Sequence, residues 1–205
     1  MILLVSAIAK EIDWLGTRAD VEALVGGVGP VDAAARVGFA LGRAPYEVVI
    51  NAGIAGAMRG VANVGDGVVV GEEMIELDLE TGERIHLPPG NVLADRVPAD
   101  GQLIEAVTAL GFPLVRGITV SRVTATDATA LRLRERGAEI ETMEGFAVLR
   151  AAQLAGVPAI EVRGISNIVG DRDRSGWDIE AGLRGLREVL NATLDLLYTI
   201  PANAD

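Results

Sequence analysis

The sequence predicts a single α/β domain in which helices cover both sides of a central mixed, mainly parallel sheet, a three-layer αβα arrangement. Apolar runs typical of buried strands alternate with helical patterns along the 205 residues. That alternation favours parallel strands connected by helices. No linker or internal repeat interrupts it, so residues 1–200 are predicted to form one domain and residues 201–205 a frayed tail.

The first half of the chain contains four apolar runs predicted as strands, at residues 2–9, 21–25, 48–51 and 67–71. The first run is almost continuously apolar, which is the pattern of a strand buried on both faces. The second strand turns into a helix at Gly27-Val-Gly-Pro30, since the missing N–H of proline is not needed in a first helical turn. A loop of small residues is predicted at Asn51-Ala-Gly-Ile-Ala-Gly56; it either exposes backbone N–H groups or only makes a tight turn.

The second half contains helices predicted at residues 102–110, 128–136, 146–155 and 179–198, and strands predicted at residues 114–123 and 159–165. Gly156 and Pro158 form a helix stop, and Asp127 is expected to cap the second of these helices. The last helix carries leucines on one face and is expected to cover the sheet. No helix or strand is predicted within the polar stretch 72–100, and His86 is expected at the surface there.

Composition limits the classes of function that the chain can have. The net charge is −11, which argues against nucleic-acid and membrane partners because both favour a basic protein surface. With no cysteine and one histidine, neither a cysteine-ligated nor a multi-histidine metal site is expected, and a cytoplasmic location is favoured. No apolar run approaches the length of a membrane span, and the apolar start lacks the basic leader of a signal peptide.

Two segments of the second half are expected to bring polar side chains to one cleft. The strand at 159–165 is followed by a polar loop with Asn167 and four charged residues at 171–174. Ligands of open α/β sheets bind beyond the carboxyl ends of the strands, so this loop is predicted to form one wall of an active site. Glu144 lies at the preceding junction of strand and helix, where a carboxylate is also explained as a favourable partner of the helix dipole.

Six short segments, in order along most of the chain, resemble the purine nucleoside phosphorylase and nucleosidase superfamily. They are Ser6-Ala-Ile-Ala-Lys-Glu11, Gly27-Val-Gly-Pro30, Asn51-Ala-Gly-Ile-Ala-Gly56, Gly65-Asp66, Met143-Glu144-Gly145 and Arg163-Gly-Ile-Ser-Asn167. Within that superfamily, the run from Ile165 to Trp177 is similar to that of the futalosine hydrolase family. The resemblance implies hydrolysis of futalosine to hypoxanthine and dehypoxanthine futalosine in the alternative menaquinone pathway. It also implies a homo-oligomer, either a dimer or a tetramer, that binds a small purine nucleoside without a metal or other cofactor.

The resemblance implies roles for three candidate catalytic residues. Asn167 occupies the place where adenosine-type nucleosidases carry an aspartic acid, and its NH₂ group can donate to purine N7 or to a 6-oxo oxygen, which favours hypoxanthine as the leaving base. Glu144 is expected to bind the ribose hydroxyls, with Met143 packed against the sugar. Glu11 is expected to activate the attacking water as general base.

The remaining candidates are expected to bind or support the substrate. Arg163 and Ser166 match positions that support the sugar and base sites; a buried Arg163 needs a partner, for which Glu11 is a candidate. The small-residue segment is expected to line the site with Gly53, Ile54 and Gly56, although many relatives have a serine where Ile54 stands. Arg172 or Arg174 is expected to pair with a carboxylate on the 5′ side of the substrate.

Three alternative functions stay open at this point. A 6-oxopurine nucleoside phosphorylase would need arginines or serines around phosphate, and no such cluster can be assigned, whereas Glu11 favours hydrolysis. A methylthioadenosine-type nucleosidase would share most of the same residues. A module that binds a nucleoside without cleaving it would retain the fold alone.

Overall fold

The computed structural model describes residues 1–79, 81–83, 85–170 and 176–199. Within these residues the chain forms eight strands: β1 (Ile2–Ser6), β2 (Val21–Val25), β3 (Val48–Ala57), β4 (Gly67–Ile75), β5 (Arg96–Pro98), β6 (Leu114–Thr119), β7 (Ile140–Thr142) and β8 (Ala159–Ile168). The same residues form five α-helices: α1 (Pro30–Leu41), α2 (Gly101–Thr108), α3 (Asp127–Glu135), α4 (Gly145–Ala155) and α5 (Ile179–Thr199).

The strands form one mixed sheet that closes on itself at one end. β1 lies parallel to β2 on one side and to β3 on the other. β3 pairs with β8, β8 with β4, β4 with β6, β6 with β7 and β7 again with β3, so five strands make a closed ring. Among the described strand pairs five are parallel and three are antiparallel, which confirms the predicted mixed, mainly parallel sheet.

Two helical layers cover the open part of this sheet. Successive residues of a strand face opposite sides, and in β1 Leu3 packs in a core with α1 and α4. The neighbouring Leu4 packs in a second core with α2 and α5. Burial on both faces explains the continuous apolar character of β1 and confirms the three-layer αβα prediction.

The predicted loop at residues 51–56 is wrong, because β3 continues through it to Ala57. The small residues there are explained by close packing and not by a turn. A Cβ on Gly53 would lie 2.8 Å from Glu11 Oε1, and a Cβ on Gly56 would lie 2.9 Å from Asn167 Nδ2. Both distances are too short for a carbon atom, so glycine leaves the space that these polar side chains occupy.

Other boundaries also differ from the sequence-based ones. β1 ends at Ser6 and β6 at Thr119, whereas β4 runs on to Ile75 in the stretch given no element. The cap of α3 is Thr126, whose Oγ1 accepts from Thr129 N at 3.2 Å, and not Asp127. The predicted stop of α4 is present, since Gly156 adopts a left-handed φ of 70°. The predicted tail at 201–205 lies outside the described residues.

Contact between β8 and α5 fixes how closely the last helix approaches the sheet. Gly164 of β8 faces Gly182 of α5, and a Cβ on Gly164 would lie 2.9 Å from the Gly182 carbonyl carbon and collide with its oxygen. Gly38, by contrast, is exposed in α1 and has open space around it.

We expect Gly164→Ala to lower the free energy of unfolding by about 1–3 kcal/mol or more, because the helix must move off the sheet. Gly38→Ala, the matched control in a helix, should instead raise it by about 0.5–1 kcal/mol. Urea unfolding of both variants measures the difference. Equal effects of the two substitutions would contradict the close contact described for Gly164.

Candidate active site

One cavity of about 290 Å³ lies at the closed end of the sheet. The predicted site residues on its wall are Glu11, Ile54, Gly56, Met143, Glu144, Ser166 and Asn167. Gly53 and Arg163 lie directly behind that wall, next to Glu11. Arg172 and Arg174 lie outside the described residues.

Glu11 is buried at the end of the turn that follows β1. Its Oε2 accepts hydrogen bonds from the backbone N–H groups of Ala7 and Ile8 at 3.0 and 3.1 Å. Its Oε1 accepts from Ile54 N of β3 at 3.0 Å. Three backbone donors from two separate segments therefore hold the carboxylate in one orientation. Ile54 contributes through its main chain, so the absence of a serine side chain there does not remove this contact.

Arg163 is a buried cation on β8 with carboxylates on more than one side. Its Nε donates to Glu161 Oε1 at 2.8 Å, and its Nη1 lies 4.0 Å from Glu144 Oε2. The prediction that Glu11 is the partner of Arg163 is therefore wrong for the hydrogen bond, which Arg163 makes with Glu161. Burial by itself lowers the pKa of the Arg163 guanidinium, but Glu161 and Glu144 outweigh it and raise that pKa above its usual value.

Glu144 is held between a backbone donor and this cation. Its Oε1 accepts from Gly29 N at 2.8 Å, so the Gly27–Pro30 turn reaches the same site as β7 and α4. Burial raises the pKa of the Glu144 carboxyl, while Arg163 and the Gly29 N–H offset part of that rise.

Asn167 lies at the end of β8 rather than in the following loop. Ser166 Oγ is 2.9 Å from Asn167 Oδ1 and 3.2 Å from the Ala55 carbonyl oxygen. A hydroxyl donates one hydrogen bond, and its shorter contact makes the Asn167 amide oxygen the acceptor. The Asn167 Nδ2 donor then points over Gly56, as its 2.9 Å approach to the position of a Cβ there indicates.

A buried carboxyl that sequence analysis missed lies behind the site. Glu73 of β4 is fully buried and bonds to the hydroxyls of Thr119 and Thr142 at 2.8 and 2.9 Å. Burial raises the pKa of the Glu73 carboxyl well above its usual range, and the charge of Glu161 adds to the rise. Glu73 and Glu161 share the space left by Gly145, where a Cβ would lie 2.7 Å from Glu161 Oε2.

Other cavity residues carried only weak signals in the sequence. Val28 and Val123 supply apolar wall, and Trp177 lies at its edge. Trp177 is one of two tryptophans in the sequence and ends the run from Ile165 that carries the family resemblance. Glu141 also lines the cavity, but a glutamate in a short strand looks like an ordinary solvated position until the strand pairing is known.

The described residues contain no group of three or more histidine, aspartate or glutamate side chains placed to hold a metal ion. Similarly, none of the described helices combines the length and apolar character that crossing a membrane requires.

Comparisons with known proteins agree with this fold. The family model described as the phosphorylase superfamily matches residues 16–199. A solved 5′-methylthioadenosine/S-adenosylhomocysteine nucleosidase from Colwellia psychrerythraea has a TM-score of 0.81 at 20% identity, covering 96% of this chain and 95% of that one. At that identity the likeness concerns the fold alone. The class, which rests on the family model, is that of the phosphorylase superfamily.

Sequence relatives narrow the class. Futalosine hydrolase of Streptomyces coelicolor is 37% identical over 194 residues, covering 85% of this chain and 78% of that protein. Futalosine hydrolase of Thermus thermophilus is 34% identical over 177 residues, covering 82% of this chain and 78% of that protein. A 5′-methylthioadenosine/S-adenosylhomocysteine nucleosidase of Anoxybacillus flavithermus is 30% identical over 173 residues, covering 78% and 73%. The chain belongs to the phosphorylase superfamily and, within it, to the futalosine hydrolase family. This confirms the resemblance inferred from the six segments and from the run between Ile165 and Trp177.

The buried ion pair at the site gives a stability prediction. Glu161→Gln leaves the Arg163 charge without its hydrogen-bonded carboxylate, and we expect a loss of about 3–5 kcal/mol in the free energy of unfolding. The matched control is Glu180→Gln, which breaks the Lys10–Glu180 pair at the surface and should cost about 0–1 kcal/mol. Guanidinium unfolding at neutral pH measures both. A Glu161 variant as stable as the control would contradict the importance of the buried pair.

Proposed function

We propose that this protein is an N-ribosyl hydrolase that cleaves futalosine to hypoxanthine and dehypoxanthine futalosine, a step of the alternative menaquinone pathway. The observation that carries the proposal is its identity of 34–37% with futalosine hydrolases over most of the chain. The arrangement of Glu11, Glu144 and Asn167 around one cavity supports it at the level of residues.

Hydrolysis of an N-glycosidic bond sets three chemical demands. The bond breaks through a state in which positive charge grows on the ribose, as in other glycoside hydrolyses. The departing purine gains negative charge at the same time. A catalyst must therefore stabilise the base, hold and stabilise the sugar, and supply a water molecule to the anomeric carbon.

Asn167 meets the first demand in this proposal. Ser166 occupies its amide oxygen, so the NH₂ group is left to donate to purine N7 or to the 6-oxo oxygen. A hydrogen bond to the base strengthens as negative charge builds up there, which lowers the barrier. An amide does not transfer a proton, so the leaving base takes its proton from water.

Glu144 meets the second demand. Its carboxylate accepts hydrogen bonds from ribose hydroxyls, and its negative charge faces the developing cation. Met143, which borders the same cavity, packs against the sugar. Arg163 lies 4.0 Å behind Glu144 and acts as a positioning residue, since it orients the carboxylate without lining the cavity.

Glu11 meets the third demand as general base. A carboxylate accepts about four hydrogen bonds, and three backbone N–H groups take one site on Oε1 and two on Oε2. One acceptor site on Oε1 is left for the proton of the attacking water. The family model begins at residue 16, so this role depends on the position of Glu11 in the cavity. A carboxylate at this point also repels a phosphate dianion, which favours water over phosphate as nucleophile.

We also infer a homo-oligomer in the cytoplasm. Several large apolar side chains on α1 and α4 are exposed, among them Val31, Phe39 and Leu154 at 79%, 65% and 72%. Apolar surface concentrated on neighbouring helices supports contact with a second copy.

The proposal is tested by incubating the purified protein with futalosine in phosphate-free buffer, with inosine and methylthioadenosine in parallel. Release of hypoxanthine from futalosine without phosphate is the expected result. Strict dependence on phosphate would indicate a phosphorylase, preference for methylthioadenosine would indicate the other nucleosidase class, and recovery of every nucleoside intact would indicate a binding module.

We expect Glu11→Gln to lower kcat for futalosine about 10²- to 10⁴-fold, the usual contribution of a general base. The matched control is Asp13→Asn, which removes a carboxylate that is exposed in the next turn and should leave kcat unchanged. Steady-state assays of hypoxanthine release measure both. Equal rates in the two variants would remove Glu11 from the mechanism.

The raised pKa of Glu144 predicts the pH dependence. A carboxyl with a raised pKa takes up its proton at a higher pH than an ordinary glutamate, and a protonated Glu144 loses its negative charge against the sugar. We therefore expect kcat/KM to fall with decreasing pH through an apparent pKa above the ordinary value of 4.5. The pH profile of kcat/KM reports groups of the free enzyme. An acid limb at or below 4.5 would contradict this assignment.

A further inference from the structure

Glu141 is a buried carboxyl of the same cavity with no part in the mechanism above. It is 7% exposed, and its Oε1 accepts from Thr124 N at 3.0 Å. Its Oε2 has no hydrogen-bond partner among the described residues. A buried carboxylate oxygen without a partner is costly, and the cost is relieved when a ligand supplies a donor. Glu141 is one of the residues that line the cavity, so a ligand bound there can supply that donor.

Strand pairing places Glu141 opposite Asn167 across one glycine. Gly56 of β3 is the register partner of Glu141 on β7 and also of Asn167 on β8. Register partners on adjacent strands project their side chains to the same face. Neighbouring strands lie about 4.8 Å apart, and only β3 separates the strand of Glu141 from the strand of Asn167. Gly56 adds no side chain between them, which leaves a slot with a donor on one side and an acceptor on the other.

A 6-oxopurine has the complementary pattern. Its N7 and O6 are acceptors, which suit the Asn167 NH₂ group, and its N1–H is a donor, which suits a carboxylate. A 6-aminopurine has an acceptor at N1, which a carboxylate repels. Burial raises the pKa of the Glu141 carboxyl, and hydrogen bonding by the side chain and the N–H of Thr124 opposes that rise.

We infer that Glu141 is a specificity-determining residue that accepts the N1–H of a 6-oxopurine while Asn167 donates to the opposite edge of the base. The inference rests on the proposed function for the identity of the base. It adds a second contact that selects hypoxanthine, and one that sets the choice between 6-oxo and 6-amino bases independently of Asn167.

Glu141→Gln is a sharp test because the Thr124 N–H fixes the orientation of the new amide. Glutamine has one acceptor oxygen, and that oxygen must face Thr124 N; its NH₂ group then faces the base. The acceptor for N1–H becomes a donor, which suits N1 of a 6-aminopurine. Glu139→Gln is the matched control, since Glu139 lies two residues earlier and bonds to Arg116 at the surface.

The experiment measures binding of free hypoxanthine, adenine and 1-methylhypoxanthine to the three proteins by calorimetry. The wild-type protein should bind hypoxanthine about 10- to 100-fold more tightly than 1-methylhypoxanthine, the range for one hydrogen bond to a charged group. Glu141→Gln should weaken the binding of hypoxanthine by a similar factor and shift the preference towards adenine. Glu139→Gln should bind all three bases as the wild type does. An unchanged ratio of hypoxanthine to adenine in Glu141→Gln would overturn the inference.

Two further results keep the test decisive. If the thermal unfolding midpoint shows that Glu141→Gln does not fold, the wild-type comparison decides alone, and equal affinity for hypoxanthine and 1-methylhypoxanthine overturns the inference. Binding of free bases also separates this inference from the proposed function. If the protein leaves futalosine intact but Glu141→Gln changes the base preference, the proposed function is contradicted and the role of Glu141 is upheld. If the protein hydrolyses futalosine but Glu141→Gln leaves the base preference unchanged, the function is upheld and the role of Glu141 is contradicted.

Discussion

The site depends on one buried cation, the Arg163 guanidinium of β8. Carboxylates repel one another when they are taken out of water together, and a buried charge is tolerated only with a partner and hydrogen bonds. Arg163 supplies both, because it bonds to Glu161 at 2.8 Å and lies 4.0 Å from Glu144. Without it, Glu144 and Glu161 would be buried anions with only neutral donors nearby.

Glycines make room for this buried polar layer. Gly53 leaves space for Glu11 and Arg163, Gly56 for Asn167, and Gly145 for Glu73 and Glu161. Glycine within strands weakens them and often marks a place where another group approaches closely. In this protein the approaching groups are the side chains that form and support the site, so the small residues of β3 and the catalytic candidates form one packing arrangement.

The sequence predicts the layers and the candidate residues better than it predicts the connections between them. A strand buried on both faces leaves a continuous apolar run, and so β1 could be identified before the structure. The extension of β3 through Gly53 and Gly56 could not, because its small residues reflect side chains that arrive from distant strands. For the same reason Arg163 was expected to pair with Glu11, whereas Glu161, two residues away on the same strand, is its partner. Glu141 could not be predicted as a site residue, because its place opposite Asn167 follows only from the register partner that the two share.

The site carries a surplus of negative charge, which suits the proposed cleavage of an N-glycosidic bond. Burial and the charge of Glu161 raise the pKa of the Glu73 carboxyl, although Arg163 opposes that rise. The carboxylates nearest to the Arg163 guanidinium are those of Glu161 and Glu144. Glu11 is held by neutral backbone donors, which orient its charge without cancelling it. The cavity wall therefore keeps a surplus of negative charge next to the place proposed for the ribose. In the proposed mechanism, positive charge that develops there during bond cleavage is stabilised by groups already in position, and that stabilisation is greater in the transition state than with the neutral nucleoside.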